Sequence, residues 1–334
     1  MTIDDLAKQR ILILDGAMGT MIQRHKLTED DFRNEALKSY TTSLKGNNDL
    51  LSITRPNIIL DIHRAYFEAG ADIVETNTFS STSIAQSDYG LEAFAYQLNV
   101  ESAKLAKQAA KEYSTSEKPR FVAGSIGPTN RTASLSPDVN RPGFRAITFE
   151  ELEVAYAEQV NGLMDGGADL LLVETVFDTL NAKAALFAVQ RVFDERSESV
   201  PIMVSGTITD ASGRTLSGQT THAFLISISH VPLFSIGLNC ALGADQLMPY
   251  IDVLDQHSPV LVSAHPNAGL PNEMGSYDQS PEEFAELLRA YFKRNMINIA
   301  GGCCGTTPEH IRVLADVAKE FSPRPLNFKN TSAL

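Results

Sequence analysis

Eight short apolar segments recur along the chain, and sequence with helical spacing of apolar residues follows each one. Most of the segments are continuous rather than alternating, which is typical of parallel strands covered on both faces, although buried helix fragments share this pattern. A chain of 334 residues forms either two domains or one large α/β barrel. Eight strands, each followed by a helix, favour a single (β/α)8 TIM barrel. The segments comprise residues 11–14, 73–74, 121–123, 170–173, 202–204, 234–238, 260–262 and 297–300.

Helix start signals separate the last strands from the sequence that follows them. Pro281 and Pro308 stand where a first helical turn would begin. Ser280 and Glu283 frame a capping box around Pro281, and Thr307 is in position to cap the helix after it. These signals predict two helices near the end of the chain.

The first three repeats are longer than the others, and the excess follows their strands. It lies in residues 16–55, 78–91 and 128–148. Loops of this length are uncommon unless they are functional, and barrel enzymes keep their active sites on this face. We therefore predict a barrel over residues 1–322 with long top-face loops, and a C-terminal tail or the start of an interdomain linker over residues 323–334.

Charge and cysteine usage exclude several classes of protein. The chain has 28 basic and 41 acidic residues, a net charge of −13, which argues against a nucleic-acid groove. The first six residues are acidic and lack a signal-peptide core, and no apolar run reaches the roughly 18 residues of a membrane span. Three cysteines cannot build a disulfide framework. We expect a cytoplasmic protein without nucleic-acid or membrane partners.

Polar residues collect directly after the apolar segments. Because the carboxyl ends of barrel strands converge on one mouth, residues far apart in sequence can face a common substrate there. Cys240 follows the sixth segment, and Cys303 and Cys304 follow the eighth. This spacing brings three sulfur atoms within reach of one ion, and soft thiolate ligands favour zinc. Three protein ligands leave a position for water or substrate, as in catalytic zinc sites.

Three other readings of the cysteines stay open at this point. In the first, Cys240 is an ordinary buried small residue. In the second, Cys303 and Cys304 form a vicinal disulfide. In the third, a histidine completes a structural zinc site. Neighbouring strand residues point to opposite faces, so both Cys303 and Cys304 can bind one metal only if the backbone turns sharply beside them.

Two carboxylates end apolar strands at the same mouth. Asp15 and Glu174 each need a partner there, and the ammonium group of a substrate would serve both, whereas the alternative is a hydrogen-bonded loop brace. The backbone at Gly16 and Ala17 offers N–H groups to an anion. His265 ends the seventh strand and is interpreted as a structural histidine with satisfied hydrogen bonds.

Three motifs together resemble the homocysteine S-methyltransferase family: LDGAMGT at residues 14–20, GLNC at 237–240 and GGCCG at 301–305. Four more motifs are most similar to the N-terminal homocysteine-binding domain of cobalamin-dependent methionine synthases. They are KGNNDL at residues 45–50, GPTNRTAS at 127–134, TDASGRT at 209–215 and HPNAGLP at 265–271. The resemblance spans nearly the whole chain, whereas the folate-binding, cobalamin-binding and reactivation modules are missing.

The resemblance implies a zinc-binding barrel in which Cys240, Cys303 and Cys304 hold the metal and the homocysteine sulfur becomes the fourth ligand. The bound thiolate would attack a methyl group carried by methylcobalamin on a separate module and give methionine. Cobalamin-binding and folate-binding modules, in cis or in trans, are the implied partners. No catalytic residue beyond the bound substrate thiolate is implied.

The resemblance also assigns the substrate contacts. Asp15 and Glu174 match the positions that hold the substrate ammonium, and the backbone of Gly16 and Ala17 lies where its carboxylate is held. Asn267 matches a residue near the metal that fills the open position before substrate arrives. The implied set of substrate-binding residues is therefore Asp15, Gly16, Ala17, Glu174 and Asn267.

Two other functions compete with this interpretation. A free-standing homocysteine S-methyltransferase would use betaine or S-methylmethionine as donor, which the length of the chain permits. A non-enzymatic module would use Cys303 and Cys304 for redox switching or zinc storage. Donor assays and the metal content separate the three.

Overall fold

All eight predicted strands are present in the computed structural model, which describes residues 2–209, 212–273 and 275–326. They are β1 (Leu12–Ile13), β2 (Ile73–Glu75), β3 (Phe121–Ile126), β4 (Leu170–Val176), β5 (Ile202–Gly206), β6 (Ser235–Gly243), β7 (Leu261–Asn267) and β8 (Ile299–Ala300). All pairs are parallel, in the order β1-β8-β7-β6-β5-β4-β3-β2. A parallel bridge between Leu14 and Ile73 joins the two edge strands, so the predicted TIM barrel is confirmed.

Twelve α-helices occur in the described part of the chain, and the longer ones surround the sheet. They are α1 (Ile3–Gln9), α2 (Met18–Gln23), α3 (Leu51–Thr54), α4 (Pro56–Ala69), α5 (Ser83–Gln86), α6 (Ala95–Tyr113), α7 (Phe149–Asp165), α8 (Thr179–Arg196), α9 (Thr221–Ile228), α10 (Ala244–His257), α11 (Pro281–Lys293) and α12 (Pro308–Ala318). None of these described helices is long and apolar enough to cross a bilayer.

The predicted helix starts are correct, and one cap differs in detail. Ser280 and Glu283 form the expected capping box at α11. Thr307 is the N-cap of α12, but its hydroxyl donates to Glu309 Oε2 at 2.6 Å and lies 3.0 Å from His310 Nδ1 instead of accepting from the helix backbone.

The apolar core has two layers. One lies inside the barrel and the other lies between the sheet and the helices. Helix α1 covers the bottom of the barrel, because Ile3, Leu6 and Ala7 on one of its faces join the interior layer. Burying a side chain of the size of Ile3 or Leu6 contributes ~1.5–3 kcal/mol.

A Gly-Ala-Asp turn brings the chain from helix to strand at the bottom of the barrel in two places. Gly70 and Gly167 have φ of 113° and 92°, a conformation that favours glycine. Asp72 Oδ2 accepts a hydrogen bond from Ile13 N at 2.9 Å, and Asp169 Oδ2 accepts one from Val122 N at 2.8 Å. Each aspartate thus ties the start of one strand to the preceding strand.

The long top-face loops follow β1, β2 and β3, as the sequence predicts. The described part of the predicted tail contacts the barrel, because Arg324 is buried and its Nε donates to Asp255 Oδ1 at 2.7 Å. Residues 327–334, the rest of that segment, lie outside the described residues.

Candidate metal and substrate site

The structure brings the three cysteines together at the mouth of the barrel. Cys240 lies in the last part of β6, and Cys303 and Cys304 follow β8. The Sγ atoms all lie within 4.8 Å of one another, and those of Cys240 and Cys304 are 3.7 Å apart. All three are half-buried free thiols, so the vicinal disulfide and the isolated buried cysteine are not what the structure shows.

Backbone geometry explains how cysteines on two strands converge. Cys240 and Ala241 have φ of 60° and 57°, the left-handed region that L-residues rarely adopt. The register between β6 and β7 shifts between Asn239 and Gly243, which is a bulge. On the other side the chain reverses after Cys304 at Gly305, whose φ is 81°. The sharp turn that two neighbouring cysteine ligands require is present.

The cysteine cluster fits a tetrahedral metal. Zinc–sulfur bonds of about 2.3 Å at tetrahedral angles place the sulfurs about 3.8 Å apart, close to the 3.7 Å between Cys240 and Cys304. The S–S distance in a disulfide is about 2.05 Å, much shorter than this separation. Hydrogen bonds from the thiols of Cys240 and Cys303 lower the pKa of the Cys304 thiol. Hydrogen bonds to Cys240 and Cys304 raise the pKa of the Cys303 thiol, and the pKa of the Cys240 thiol is raised to about 11, so the metal-free cluster favours a single thiolate. Within the described residues, these three form the single cluster of cysteine, histidine and acidic side chains that could hold a metal ion.

Three carboxyl groups, not two, line the mouth beside the cysteines. Asp15 and Glu174 are 3% and 4% exposed, and the Glu75 side chain is 22% exposed. Asp15 Oδ2 accepts from Glu75 N at 3.1 Å, and Glu174 Oε1 accepts from Ser125 Oγ at 2.5 Å. The side chains of Glu75 and Glu174 are within hydrogen-bond reach of each other.

These carboxyl groups have no cationic side chain beside them in the part of the chain that the structure describes. In the described ranges no lysine or arginine forms an ion pair with them, and Asp15 Oδ1 has no hydrogen-bond partner. Burial raises the pKa of Glu174 to about 7 despite the hydrogen bond from Ser125. Burial also raises the pKa values of Asp15 and Glu75, and the negative charge of Glu174 raises both further. Such a cluster favours a cationic ligand or a bound proton.

The other predicted contacts lie at the same mouth. The N–H of Ala17 donates to Thr306 Oγ1 at 3.2 Å, so this amide already has a partner within the chain. Gly16 has no room for a side chain, because an added Cβ would lie 2.7 Å from that same hydroxyl. Asn267 is buried at the end of β7, and its Oδ1 is unpartnered among the described residues.

His265 differs from its interpretation in one respect. It is buried as expected, and burial lowers its pKa to about 3. Its Nδ1 lies 3.9 Å from Glu75 Oε1, whereas its Nε2 has no hydrogen-bond partner in the part of the chain that is described. Its hydrogen bonds are therefore not all satisfied by the described part of the barrel.

A cavity of about 1330 Å³ connects the cysteines, the carboxyl groups and the long loops. Its lining includes Asp15, Gly16, Ala17, Glu75, Glu174, Cys240, His265, Cys303 and Cys304, together with residues 46–49, 76–80 and 128–130 of the top-face loops. A small amino acid fills only a fraction of this volume. The remaining space faces the loops, where a second reactant has room.

Sequence reasoning missed two residues of the site. Glu75 ends an apolar strand in the same manner as Asp15 and Glu174, and that position was the signal for it. Asn239 directly precedes Cys240, is fully buried, and its Nδ2 lies 4.0 Å from Cys303 Sγ. No pattern in the sequence shows that this asparagine points toward a sulfur.

Fold and site together define a (β/α)8 barrel with a cluster of three cysteine thiols at its mouth. The family model for homocysteine S-methyltransferase matches residues 12–318, and the chain belongs to that family. The predicted family is therefore confirmed.

Solved structures with the same fold include the metallated form of the homocysteine methyltransferase MmuM from Escherichia coli. It is 23% identical, with a TM-score of 0.71, over 94% of this chain and 98% of that one. The oxidized form of the same enzyme is 22% identical, with a TM-score of 0.72, over 93% of this chain and 97% of that one. A B12-independent methionine synthase from Shewanella sp. W3-18-1 is 12% identical, with a TM-score of 0.53, over 93% and 97%. At these identities the likeness shows the fold.

Proposed function

We propose that this barrel methylates the thiol of homocysteine to give methionine, with one zinc ion held by Cys240, Cys303 and Cys304. The observation that carries the proposal is the cluster of three Sγ atoms within 4.8 Å, beside carboxyl groups that have no lysine or arginine partner among the described residues. Membership of the homocysteine S-methyltransferase family supports the same substrate.

Each part of the site has a chemical task in this reaction. Zinc, when bound, would lower the pKa of the substrate thiol so that the sulfur is ionised at neutral pH. Three cysteine thiolates around a dication leave a net charge of about −1, so the site does not withdraw the electron density that the nucleophile needs. The proton of the S–H bond passes to solvent, the sulfur forms a C–S bond to the methyl group, and the methyl–donor bond breaks with its electron pair remaining on the donor, which leaves.

The carboxyl groups hold the other end of the substrate in this proposal. Asp15 and Glu174 accept hydrogen bonds from the ammonium group, and Glu75 adds negative charge next to them. The backbone N–H of Gly16 contacts the substrate carboxylate, since the amide of Ala17 is engaged by Thr306. Asn267, whose Oδ1 is unpartnered among the described residues, would fill the open metal position before substrate binds.

Two donor classes are compatible with this site. The similarity to the free-standing homocysteine methyltransferase, which covers 98% of that chain, supports an enzyme that uses a small onium donor such as betaine or S-methylmethionine without further modules. The cavity of about 1330 Å³ favours a second candidate, methylcobalamin on a separate module, because a small donor leaves much of this space unfilled.

Metal analysis and donor assays on the purified chain test the proposal. We expect one zinc per chain and methionine formation with homocysteine. Methionine formed from betaine or S-methylmethionine without corrinoid supports the free-standing enzyme, and transfer only from methylcobalamin supports the second candidate. A chain that binds homocysteine without metal contradicts the zinc site. A persistent two-proton mass difference between reduced and native chain supports the redox module.

Substitution of the cysteines is the strongest test of the metal assignment. Cys240→Ala, Cys303→Ala and Cys304→Ala should each lose zinc and lower methyl transfer at least ~100-fold, since each removes a ligand. Ser205→Ala is the control, because Ser205 is a fully buried small residue on β5 whose hydroxyl has no partner within the described residues. It should keep both zinc and activity.

A further inference from the structure

Two strand ends at the mouth carry bulges, and side-chain hydrogen bonds join them. The register between β4 and β5 shifts between Val173 and Val176, and the register between β6 and β7 shifts between Asn239 and Gly243. Strands β4 and β6 are not neighbours in the sheet, since β5 lies between them. A link between the two bulges is therefore not part of the backbone ladder.

Asn239 and Thr175 make this link, which we call the Asn239–Thr175 bridge. Thr175 N donates to Asn239 Oδ1 at 3.0 Å, and Asn239 Nδ2 donates to Thr175 Oγ1 at 2.8 Å. The two bonds fix which way the amide points, because the backbone N–H can only be accepted by the amide oxygen. Asn239 is fully buried, so water does not compete for these two hydrogen bonds.

Each end of the bridge reaches a different part of the substrate site. Thr175 Oγ1 donates to Glu174 Oε2 at 3.5 Å, and Glu174 belongs to the carboxyl cluster. The second N–H of Asn239 Nδ2 is directed at Cys303 Sγ, 4.0 Å away. A continuous path of side-chain contacts therefore runs from the carboxylate proposed for the ammonium group to a sulfur proposed as metal ligand.

The backbone at Thr175 shows that the bridge holds a conformation the chain would not adopt by itself. Its φ of 54° is an outlier for a β-branched residue. Such residues persist only where their surroundings over-determine them, and the two hydrogen bonds with Asn239 do so here. Residue 240, next to Asn239, is also left-handed. The bridge thus ties together the two strained points of the mouth.

We propose that the Asn239–Thr175 bridge sets the separation between the ammonium-binding and thiol-binding parts of the site and so selects homocysteine over the shorter amino acid cysteine. This inference rests on the proposed function. Both amino acids carry the same ammonium, carboxylate and thiol groups, and they differ by one methylene between the backbone and the sulfur. A site held at one separation distinguishes them, whereas a site that can adjust does not. Asn239 and Thr175 are positioning residues in this scheme, acting through Glu174 and Cys303.

The test compares homocysteine and cysteine binding by calorimetry on the zinc-loaded chain, with zinc content measured in parallel. We expect Asn239→Ala and Thr175→Ala to lower homocysteine affinity about tenfold, as the loss of buried hydrogen bonds would. Cysteine affinity should change much less, so the homocysteine preference falls. Thr175→Ser keeps the hydroxyl and should keep the preference. Thr175→Ala and Thr175→Ser also decide the question if Asn239→Ala does not fold.

Asn298→Ala is the matched control. This asparagine is 1% exposed and also makes two hydrogen bonds, from Val262 N and to the carbonyl of Arg324, but at the bottom of the barrel. It should leave the preference unchanged. An equal fall in homocysteine and cysteine affinity in the bridge variants overturns the proposal, as does loss of zinc with unchanged preference. An unsubstituted chain that binds no homocysteine contradicts the proposed function itself, a separate result.

Discussion

Carboxylates at the two ends of the barrel differ in whether a cationic side chain pairs with them. At the bottom, Asp72 is fully buried and receives two hydrogen bonds from Arg10, at 2.5 and 2.8 Å, while Arg120 lies 3.9 Å away. At the mouth, the carboxyl cluster of Asp15, Glu75 and Glu174 has no such arginine or lysine among the described residues. The chain supplies cations where a carboxylate stabilises the fold, and it omits them where a ligand is expected to bind.

This contrast distinguishes acids that stabilise the barrel from acids that bind a ligand. A buried charge with a partner contributes to folding, and removing one member of the pair leaves the other uncompensated. A buried carboxyl group without a partner costs stability in the free protein and is compensated only when a cation arrives. The same acid-to-amide substitution should therefore have opposite consequences at the two ends.

The largest effect is expected at the bottom. Asp72→Asn leaves Arg10 and the nearly buried Arg120 without their anion and should lower the free energy of unfolding by about 3 kcal/mol. Denaturant unfolding measures this. Asp61→Asn is the control, because its ion pair with Arg64 is exposed and its loss should leave the free energy of unfolding nearly unchanged. A stable Asp72→Asn variant would remove the distinction between the two ends.

Glu174→Gln should show the reverse pattern at the mouth. Homocysteine binding should weaken by about 2 kcal/mol, because a charge-assisted hydrogen bond is lost, while the free energy of unfolding stays the same or rises. Calorimetry and denaturant unfolding on one preparation give both values. Glu309→Gln, which lines the same cavity outside the carboxyl cluster, should leave binding within about twofold. Zinc loss in Glu174→Gln would assign this carboxylate to the metal instead.

Glu174 should affect the pH dependence of the free energy of unfolding with the opposite sign to an ion-paired carboxylate. Because the pKa of Glu174 is raised from 4.5 to about 7, this group binds more protons in the folded chain than in the unfolded chain between these values. The contribution of Glu174 to the free energy of unfolding should therefore fall as pH rises through this window, by at most about 1.4 kcal/mol per pH unit for one proton. Glu174→Gln should flatten the slope, and added homocysteine should reduce it. Burial lowers the pKa of His63 and His265 to about 3, so these histidines contribute with the opposite sign. The test is therefore the slope of the unsubstituted chain minus that of Glu174→Gln, and a positive difference across this window would contradict the unpaired cluster.

The fold was predictable because the repeat of apolar segments and helical sequence is long and regular. Each strand position follows from local composition, and only the bounds differ: residues 234–238 mark β6, which extends as Ser235–Gly243. The cysteine cluster was predictable because the carboxyl ends of barrel strands converge, so predicting the barrel also places the three cysteines together. These inferences need no side-chain geometry.

The contacts at the mouth were not predictable in the same way. The role of Glu75 depends on the orientation of its side chain toward Glu174, which the sequence does not show. The Asn239–Thr175 bridge depends on bulges that change which way residues 174–175 and 239–240 face. Left-handed φ values at Thr175 and Cys240 have no signature in residue type, because glycine or asparagine would be the expected residue there. The sequence indicates where polar residues collect, while tertiary packing decides which of them touch.

The smallest effect is expected for a third kind of buried acid, Asp49 in the first top-face loop. Its Oδ2 accepts from Ser80 N at 2.7 Å and from Ser81 Oγ at 2.8 Å, and burial raises its pKa to about 6. Asp49→Asn keeps an acceptor for these donors, so stability should change by no more than about 1 kcal/mol.

Homocysteine affinity should stay within about twofold in Asp49→Asn, since the residue is satisfied by neighbouring donors instead of awaiting a cation. Calorimetry beside Glu174→Gln decides the point. If the two variants lose affinity equally, the mouth attracts the ammonium through its summed negative potential, and direct contact with Glu174 is not what holds the substrate. If only Glu174→Gln loses affinity, the absence of an internal cation around one carboxylate is what marks the binding group.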